Sequence, residues 1–487
     1  MSRLHVTEPS APAAAENPGQ TSTLAGLRVL RRGPGDVALV EGPSGRMVLL
    51  ADADDAAARQ WAALFARTLG PPRLCDATAL RLLAGPAATE RQEAPEQSAD
   101  GPAVRLLDSL LDHALHEGAS DLHLEATPEG LLARCRLDGV MLELGRYPGR
   151  EAAEQLISRL KVLAELDIAE RRVPQDGRLQ HVNARGRTDL RVSIMPSLHG
   201  EDAVLRVLEQ GRAAAPELGS LGFAPAVCTR LRQAAERPHG LLLVTGPTGS
   251  GKTSTLYAVI RSVLSGLDKI ISIEDPVEYQ LPGVLQIPVN EKKGLTFARG
   301  LRSILRHDPD KIFVGEIRDA ETAGIAVQSA LTGHLVFSSL HANDAFEVMG
   351  RLRHLGIDAH GLASALHAVL AQRLLRRVCL HCTAAHRPEP ALLQRLGLPS
   401  ADWAGTVLRM GRGCAHCRGT GYLGRQAVGE LVLMDERLRE LLLAGAAAAQ
   451  LRAQAQRAGT QPLREAALDL VRTGVTTLEE VLRVTVD

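Results

Sequence analysis

The residues from Gly246 to Thr253 have the types and the spacing of a phosphate-binding loop. An apolar run of strand length, Leu241 to Val244, precedes them, and a segment compatible with a helix follows at once. A strand, a G-x-x-x-x-G-K-[ST] loop and a helix in this order are typical of nucleotide-binding proteins, because the glycines let backbone N–H groups face a phosphate. The N-terminus of the helix adds partial positive charge. A chance match in a glycine-rich turn is the alternative, and the flanking strand and helix argue against it.

The last two residues of the loop have specific expected roles. Lys252 is expected to contact the β- and γ-phosphates of ATP, and the Thr253 hydroxyl to bind the Mg²⁺ that bridges them. The predicted nucleotide-binding residues of the loop are Gly246, Pro247, Thr248, Gly249, Ser250, Gly251, Lys252 and Thr253.

Two acidic clusters follow apolar strands in the same half of the chain. The first follows Ile270 to Ile273, and the second follows Ile312 to Val314. Carboxylates at the carboxyl end of a strand stand where α/β proteins place their nucleotide chemistry, and the second cluster has the position of a Walker B motif near Mg²⁺. A helix cap or a surface loop is the alternative for either cluster alone. The acidic residues concerned are Glu274, Asp275, Glu278 and Glu316.

A third apolar strand has one histidine at each end, His334 and His341. For a single histidine, a hydrogen-bonded structural role is the usual explanation. For this pair, sensing of the γ-phosphate is an equal alternative.

Four of the seven cysteines form two C-x₂-C pairs, Cys379 with Cys382 and Cys414 with Cys417. Two such pairs can complete a tetrahedral thiolate site for Zn²⁺, and four protein ligands leave no open position for catalysis. We therefore predict a structural zinc site. The segment before the first pair, Ala365 to Val378, is predicted to be a basic amphipathic helix. The other three cysteines, Cys75, Cys135 and Cys228, are expected to be small buried apolar residues.

Composition limits the classes of function. The 487 residues suggest about three domains. Lys plus Arg and Asp plus Glu number 56 each, and aromatic residues make up 2% of the chain. The balanced charge and the few aromatic side chains disfavour nucleic-acid binding. No apolar run approaches the length of a membrane span, and no signal peptide is evident, so a cytoplasmic protein is expected.

The part of the chain before the phosphate-binding loop is predicted to contain two α/β domains. Residues 1–23 are expected to be a disordered terminus, because they are rich in Pro, Ala and polar residues. Strands from Leu27 to Leu50 and a helix from Ala56 to Leu69 indicate a small α/β module, and residues 85–103 indicate a linker. After it come helices and alternating strands, with a hairpin turn at Leu137-Asp138-Gly139.

From residue 104 onward the motifs resemble those of the secretion ATPases that energise type II secretion and type IV pilus assembly. These motifs are GASDLHLE, LDIAERRVPQDGR, LRVSIMPSLHGEDAVLRVL, GPTGSGKT, SIEDPVEY, LRSILRHDPDKIFVGEIRDAETA, TGHLVFSSLHANDA, the two C-x₂-C pairs and GVTTLEEVLRVT. The resemblance implies an α/β fold with a PAS-like domain before a RecA-like P-loop ATPase domain. It also implies a homo-hexameric ring. The expected boundaries are 1–23 for the disordered terminus, 24–84 for the N-terminal module, 85–103 for the linker, 104–212 for the PAS-like domain, 213–376 for the ATPase domain, 377–428 for the zinc module and 429–487 for a helical C-terminal region.

The same resemblance implies catalytic roles for individual residues. Glu278 matches the glutamate that polarises the attacking water, with Glu274 and Asp275 in the same acidic box. Glu316 matches the Walker B glutamate, and His334 and His341 match a histidine box. Arginines that reach phosphate in this family are matched by Arg191 and Arg206 in the PAS-like domain and by Arg302, Arg306 and Arg318 around the Walker B strand. Such arginines stabilise the charge of the transferred phosphoryl group, and ordinary salt bridging is the alternative for each.

Within this family, the cysteine pairs favour export or assembly ATPases over retraction ATPases, and the length favours the type II secretion form. The expected partners are an inner-membrane platform protein and a membrane-anchored recruiter that binds the N-terminal module, at the cytoplasmic face of the inner membrane. A type IV pilus assembly ATPase is the closest alternative. Alternatives of other classes are a RecA-like nucleic-acid translocase and a nucleotide switch without turnover.

Overall fold

The computed structural model describes most of the chain from residue 101 onward and a smaller part of the residues before it. The described residues are 5–7, 22–23, 28–32, 37–42, 45–52, 59, 62, 72–75 and 101–485, with gaps at 184–185, 209–214 and 404. Of the linker predicted for residues 85–103, residues 85–100 lie outside them.

The N-terminal residues form a six-stranded sheet with the order β2-β1-β6-β5-β4-β3. Its strands are β1 (His5–Thr7), β2 (Ser22–Thr23), β3 (Arg28–Arg32), β4 (Val37–Gly42), β5 (Gly45–Leu50) and β6 (Arg73–Cys75). The strands predicted from Leu27 to Leu50 are confirmed. The disordered terminus predicted for residues 1–23 is wrong at both ends, because β1 and β2 pair with each other and β1 also pairs with β6. Of the predicted helix, only Arg59 and Ala62 are described, and both are helical.

The next domain is an antiparallel six-stranded sheet with the order β10-β11-β12-β7-β8-β9 and two helices. Its elements are α1 (Pro102–Glu117), β7 (Asp121–Thr127), β8 (Gly130–Leu137), β9 (Val140–Pro148), α2 (Arg150–Leu163), β10 (Gln175–Asn183), β11 (Gly186–Ser197) and β12 (Gly200–Leu208). Helix α1 begins at Pro102, inside the predicted linker, because proline fits the first turn of a helix. Apolar side chains of every second position pack with the helices into one core, which leaves the other face of the sheet polar.

The hairpin between β8 and β9 turns at Asp138 and Gly139, as predicted. Their φ angles of 48° and 82° are those of a turn that matches the twist of the strands. The Asp138 carboxylate also leaves its own domain: Oδ2 accepts a hydrogen bond from the Gly424 backbone N–H at 2.9 Å, and Oδ1 lies 3.6 Å from Arg425 Nε. The hairpin tip therefore contacts a strand of the following domain.

That following domain is built on a seven-stranded sheet with the order β15-β14-β16-β17-β13-β18-β21. Its strands are β13 (Gly240–Thr245), β14 (Ile270–Glu274), β15 (Val284–Pro288), β16 (Lys311–Val314), β17 (Leu335–Leu340), β18 (Leu366–Val378) and β21 (Tyr422–Leu433). All neighbouring pairs are parallel except β18 with β21. The helices that cover it are α3 (Pro225–Ala235), α4 (Lys252–Ser262), α5 (Phe297–Ile304), α6 (Ala320–Leu331), α7 (Ala345–His354) and α8 (Ala359–Ala365). Because both faces are covered, β13 is buried at every position, and alternate residues join two separate cores.

Strand β18 stands where we predicted a basic amphipathic helix from Ala365 to Val378. The chain is helical only up to Ala365 and extended from Leu366 onward. Residues 366–372 are buried, because β18 lies between β13 and β21 and helices cover both faces. A strand of this kind has a nearly continuous apolar run, and periodicity alone does not distinguish such a run from a buried helix.

The sheet also corrects the boundary predicted at residue 428. Strand β21 pairs with β18 from Tyr422 to Leu433, so residues 422–433 belong to the seven-stranded sheet. The cysteine-containing segment is an insertion between these two strands, with β19 (Thr383–His386), α9 (Pro390–Arg395) and β20 (Leu408–Gly411).

The C-terminal region is helical, as predicted. It contains α10 (Glu436–Leu443), α11 (Ala448–Arg457), α12 (Leu463–Arg472) and α13 (Leu478–Thr485). None of the helices in the described ranges has both the length and the apolar character needed to span a bilayer.

Candidate nucleotide site

The predicted phosphate-binding loop connects the carboxyl end of β13 to the first turn of α4. Gly246 has a φ of 149°, and a Cβ there would lie 2.5 Å from the Gln372 carbonyl oxygen of β18. Gly251 has a φ of 84° and precedes the helix directly. Only glycine adopts such backbone angles without strain and permits this close approach. The loop and the N-terminus of α4 thus have the geometry expected of a phosphate cradle.

Lys252 is folded back onto the loop. Its Nζ donates hydrogen bonds to the carbonyl oxygens of Gly246 at 2.9 Å and Pro247 at 3.2 Å. Burial lowers the pKa of Lys252, the nearby Glu316 carboxylate opposes that shift, and the charge of Arg373 adds to it. The ammonium is therefore held beside the loop, close to where an incoming phosphate would bind.

His341 follows β17 and Glu316 follows the neighbouring parallel strand β16, so both lie at the carboxyl ends of these strands. The Thr245 hydroxyl at the end of β13 donates to the Leu340 and Ala342 carbonyl oxygens at 3.1 and 3.0 Å, which joins the ends of the two strands. His341 Nε2 lies 3.4 Å from Glu316 Oε2. Burial lowers the pKa of His341, the charge of Lys252 lowers it further, and the Glu316 carboxylate opposes the shift.

Glu316 also forms an ion pair with Arg318, two residues further along the chain. The hydrogen bond that the Arg318 guanidinium donates to this carboxylate raises the pKa of Arg318. Lys252, Glu316, Arg318 and His341 are thus brought together beside the phosphate-binding loop.

Glu274 does not lie in the nucleotide site, which corrects its predicted role. It is 2% exposed. Its carboxylate accepts hydrogen bonds from the Tyr257 hydroxyl, from the Ser272 hydroxyl at 2.5 Å and from Gln286 Nε2 at 3.1 Å. Glu274 is therefore a buried structural acceptor behind the loop.

The network of Glu274 supports the segment that contains Glu278. The Glu278 backbone N–H donates to the Tyr257 hydroxyl at 3.2 Å, and the Tyr279 N–H lies 3.5 Å from the same oxygen. Asp275 and Glu278 are both exposed at this edge of the sheet.

The two histidines lie at opposite ends of strand β17. His334 precedes β17, and its Nδ1 donates a hydrogen bond to the Ser329 carbonyl oxygen, 3.1 Å away. His341 follows β17, and six residues of strand separate the two by roughly 20 Å. Only His341 is near the phosphate-binding loop of its own chain.

The remaining arginines around β16 form local contacts. Arg302 Nη1 lies 2.5 Å from Glu321 Oε1 in the first turn of α6, and Arg306 Nη1 donates to the Arg302 carbonyl oxygen at 2.9 Å. Both side chains are exposed. Nothing in these contacts brings either residue to the phosphate-binding loop of the same chain.

Arg191 and Arg206 are direct neighbours on the polar face of the PAS-like sheet. The register of β11 and β12 places them opposite each other. The register of β10 places Arg178 opposite Arg191, so three arginines stand in one row. Arg178 belongs to the motif LDIAERRVPQDGR and was not predicted as a site residue. Its place in the row follows only from the pairing of β10 as a strand.

Two residues of β18 also escaped the sequence analysis. Gln372 Nε2 donates to the Ser250 carbonyl oxygen at 2.6 Å, and Arg373 donates to the Asn343 carbonyl oxygen at 2.9 Å, just beyond His341. Both residues flank the phosphate-binding loop. They could not be found while β18 was interpreted as a helix.

The four cysteines of the two C-x₂-C pairs come together, as predicted. Their Sγ atoms all lie within 4.8 Å of one another, and the Sγ atoms of Cys414 and Cys417 are 3.7 Å apart. Four thiolates at about 2.3 Å from a tetrahedral Zn²⁺ stand about 3.8 Å from each other. The donor set therefore fits a structural zinc ion.

A parallel sheet with a G-x-x-x-x-G-K-T loop after β13, a glutamate after β16 and a histidine after β17 defines a P-loop ATPase. Residues 96–483 match the family model described as "Type II/IV secretion system protein", and the chain belongs to this family.

Relatives with curated names support the same family. Over 396 residues the chain is 45% identical to "Type II secretion system protein E" of Pseudomonas aeruginosa, covering 81% of this chain and 78% of the relative. "Type IV pilus assembly ATPase PilB" of Thermus thermophilus is 42% identical over 400 residues, covering 82% of this chain. The chain spans only 45% of the length of that Thermus relative.

Solved structures agree on the fold. The pilus retraction motor PilT with bound ADP has a TM-score of 0.51 and 27% identity, covering 78% of this chain and 97% of that one. The ATPase DotB of Legionella pneumophila has a TM-score of 0.57 and 21% identity, covering 80% and 96%. The second similarity shows the fold alone.

Proposed function

We propose that the chain hydrolyses ATP to ADP and phosphate and uses this reaction to drive protein secretion of type II. The observation that carries the proposal is the convergence of Lys252, Glu316 and His341 on one phosphate-binding loop. A cation, a carboxylate and an imidazole at one loop match the needs of phosphoryl transfer, in which charge develops on the γ-phosphate oxygens while water attacks in line.

The residues of the candidate site have distinct roles in this reaction. Backbone N–H groups of the loop bind the β-phosphate, and Lys252 exchanges its two carbonyl acceptors for phosphate oxygens. Thr253 and Glu316 would hold Mg²⁺, directly or through its water ligands, and the ion would neutralise phosphate charge. Glu278 is the acceptor for the proton of the attacking water, and its exposed position after β14 supports this role.

Arginines from the PAS-like domain would complete the site. Arg191 and Arg206 belong to another domain than the phosphate-binding loop, so they contribute only when that domain lies against a nucleotide of its own chain or of a neighbour. A closed homo-hexameric ring meets this requirement, since rotation gives every nucleotide one facing domain. In that ring the roles of His334, Arg302 and Arg306 would be at subunit interfaces.

The cysteine insertion would hold Zn²⁺ through Cys379, Cys382, Cys414 and Cys417. A tetrathiolate ion supplies folding free energy and no chemistry, because no coordination position is left for substrate.

Secretion is favoured over pilus assembly by the relatives named for type II secretion, of which the chain covers the larger share. The partners would be an inner-membrane platform protein and a membrane-anchored recruiter, at the cytoplasmic face of the membrane. Type IV pilus assembly is the second candidate, because the Thermus relative is named for it.

Removal of the gene from its host tests the proposal. Loss of proteins from the culture medium, restored by the intact chain and not by a Lys252→Ala chain, supports type II secretion. Loss of surface pili with normal secretion supports the second candidate. ATP turnover by the purified chain that requires DNA contradicts both.

A further inference from the structure

We propose that Asp121 is a positioning residue that aims Arg206 at the phosphate groups of the nucleotide. The inference rests on the proposed role of Arg206 in ATP hydrolysis. It concerns the polar face of the PAS-like sheet, where the register of five strands places charged residues in a single row.

The row crosses the sheet at directly opposed positions. Arg178 stands opposite Arg191, Arg191 opposite Arg206, Arg206 opposite Asp121, and Asp121 opposite Arg136. Residues directly opposite each other in antiparallel strands share a face. The row thus has four cations and one anion.

The positive charge of the row is only partly compensated: Asp176 Oδ1 lies 4.0 Å from Arg191 Nη2. Like charges directly opposite each other on neighbouring strands repel, and Arg178, Arg191 and Arg206 form two such pairs in succession. A bound polyanion, such as the phosphate groups of a nucleotide, would relieve this repulsion. The single aspartate stands next to Arg206 and separates it from Arg136.

Asp121 differs from its neighbours in burial. Its side chain is 7% exposed, whereas that of Arg206 is 61% exposed. Oδ1 accepts a hydrogen bond from Arg206 Nε at 2.8 Å, and Oδ2 accepts one from the Ser120 hydroxyl at 2.8 Å. Arg136 Nε lies 3.8 Å from Oδ2. A carboxylate bound on both oxygens has a fixed orientation.

The contact with Arg206 uses one edge of the guanidinium. Because Nε is the bonded atom and the side chain remains largely exposed, the two terminal nitrogens are left for a ligand. An exposed arginine without an anchor would lose rotamer freedom on binding, and a pre-oriented one loses less. Asp121 therefore prepares Arg206 for the charge that develops in the transition state.

The test compares Asp121→Asn, Arg206→Ala and the double variant in the full-length chain. Asparagine keeps the size of the side chain and removes its charge. We expect kcat to fall about tenfold in Asp121→Asn and about 10³-fold in Arg206→Ala, with little change in the KM for ATP. In the double variant, kcat should equal that of Arg206→Ala, because an aiming residue has no effect without the residue it aims.

Glu125→Gln is the matched control. Glu125 lies on the same face of β7, and its carboxylate accepts a hydrogen bond from Arg134 Nε at 3.0 Å. The Glu125→Gln substitution removes the charge of a carboxylate that is paired with an arginine on the same strand as Asp121, and kcat should be retained.

The outcomes separate the inference from the proposed function. An unchanged kcat in Arg206→Ala refutes the phosphate role of Arg206. A lowered kcat in Arg206→Ala together with an unchanged kcat in Asp121→Asn refutes the positioning role alone. If Asp121→Asn lowers kcat by the same factor in the wild-type chain and in the Arg206→Ala chain, its role is structural, and this result also overturns the inference. If Asp121→Asn does not fold, Ser120→Ala removes one of the bonds that fix the carboxylate; a kcat equal to wild type would then contradict the proposal.

Discussion

Gln372 and Ser250 join a sheet strand to the phosphate-binding loop: Nε2 of Gln372 donates to the Ser250 carbonyl oxygen at 2.6 Å. Gln372 is fully buried, and the loop carbonyl would otherwise lack this donor. The conformation of the loop is therefore fixed by β18 as well as by the glycines within it.

Gln372→Leu should weaken ATP binding about tenfold, because loss of one buried hydrogen bond costs about 1.4 kcal/mol. Titration with a fluorescent ATP analogue measures the change. Gln426→Leu is the matched control, since Gln426 donates to the Gly222 carbonyl oxygen at 3.0 Å from the neighbouring strand β21. An equal loss of affinity in both variants would show that the loop is not specifically held by Gln372.

Glu278→Gln should affect turnover and Glu274→Gln should affect stability, although both change a glutamate in the same segment. Glu278→Gln should keep ATP affinity and melting temperature but lose turnover, because the acceptor for the water proton is removed. Glu274→Gln should lower the melting temperature, because a neutral amide is a weaker acceptor for Tyr257 and Ser272. Phosphate release and thermal melting distinguish them. Normal turnover in Glu278→Gln would contradict the role of Glu278 as the acceptor for the water proton.

His367 should make stability depend on pH. Burial lowers its pKa from 6.5 to about 4, so the unfolded chain binds the proton more tightly than the folded one. Stability is then complete above pH 6.5 and is lost as the pH falls toward 4, by roughly 3 kcal/mol for this group. In His367→Gln, the melting temperature should fall less steeply over that range than in wild type. The exposed His360→Gln is the control, and parallel pH profiles for all three chains would refute the assignment.

Zinc content should follow the cysteine pairs. Wild-type protein should contain about one zinc per chain, and Cys414→Ser should lose it because one thiolate ligand is missing. Metal analysis and hydrogen exchange across residues 379–421 measure the loss and the local unfolding that accompanies it. Cys228→Ser, outside the cluster, should retain the metal. A metal-free wild type with full activity contradicts the zinc site.

Activity should depend on assembly. Lys252→Ala and Arg206→Ala chains should each be inactive alone, while their mixture should regain partial activity if Arg206 acts on a neighbour's nucleotide. Mixing Lys252→Ala with Glu278→Gln is the control, because both residues belong to one ATPase domain and no mixed site is complete. Specific activity independent of protein concentration, in a strictly monomeric protein, would rule out the ring.

The sequence predicted most of the nucleotide site, because the phosphate-binding loop and Glu316 follow strands whose apolar runs are easy to recognise. The sequence did not predict the role of a residue where that role depends on burial and not on the residue type. Glu274 and Glu278 look alike in sequence, yet one faces Tyr257 inside the core and the other faces solvent. The length of β17 separates His334 from His341, and the role expected for His334 stays a prediction. The apolar run of β18 resembled a helix, and this hid Gln372 and Arg373.

The Asp138 contact has a consequence for how the two domains can move. Strand β21, which donates the Gly424 amide to Asp138, is paired with β18, and β18 holds the phosphate-binding loop through Gln372. A swing of the arginine-bearing domain away from the sheet must break the bond at the hairpin tip. The hydrogen exchange rate of the Gly424 amide therefore reports how often this contact between the two domains is broken.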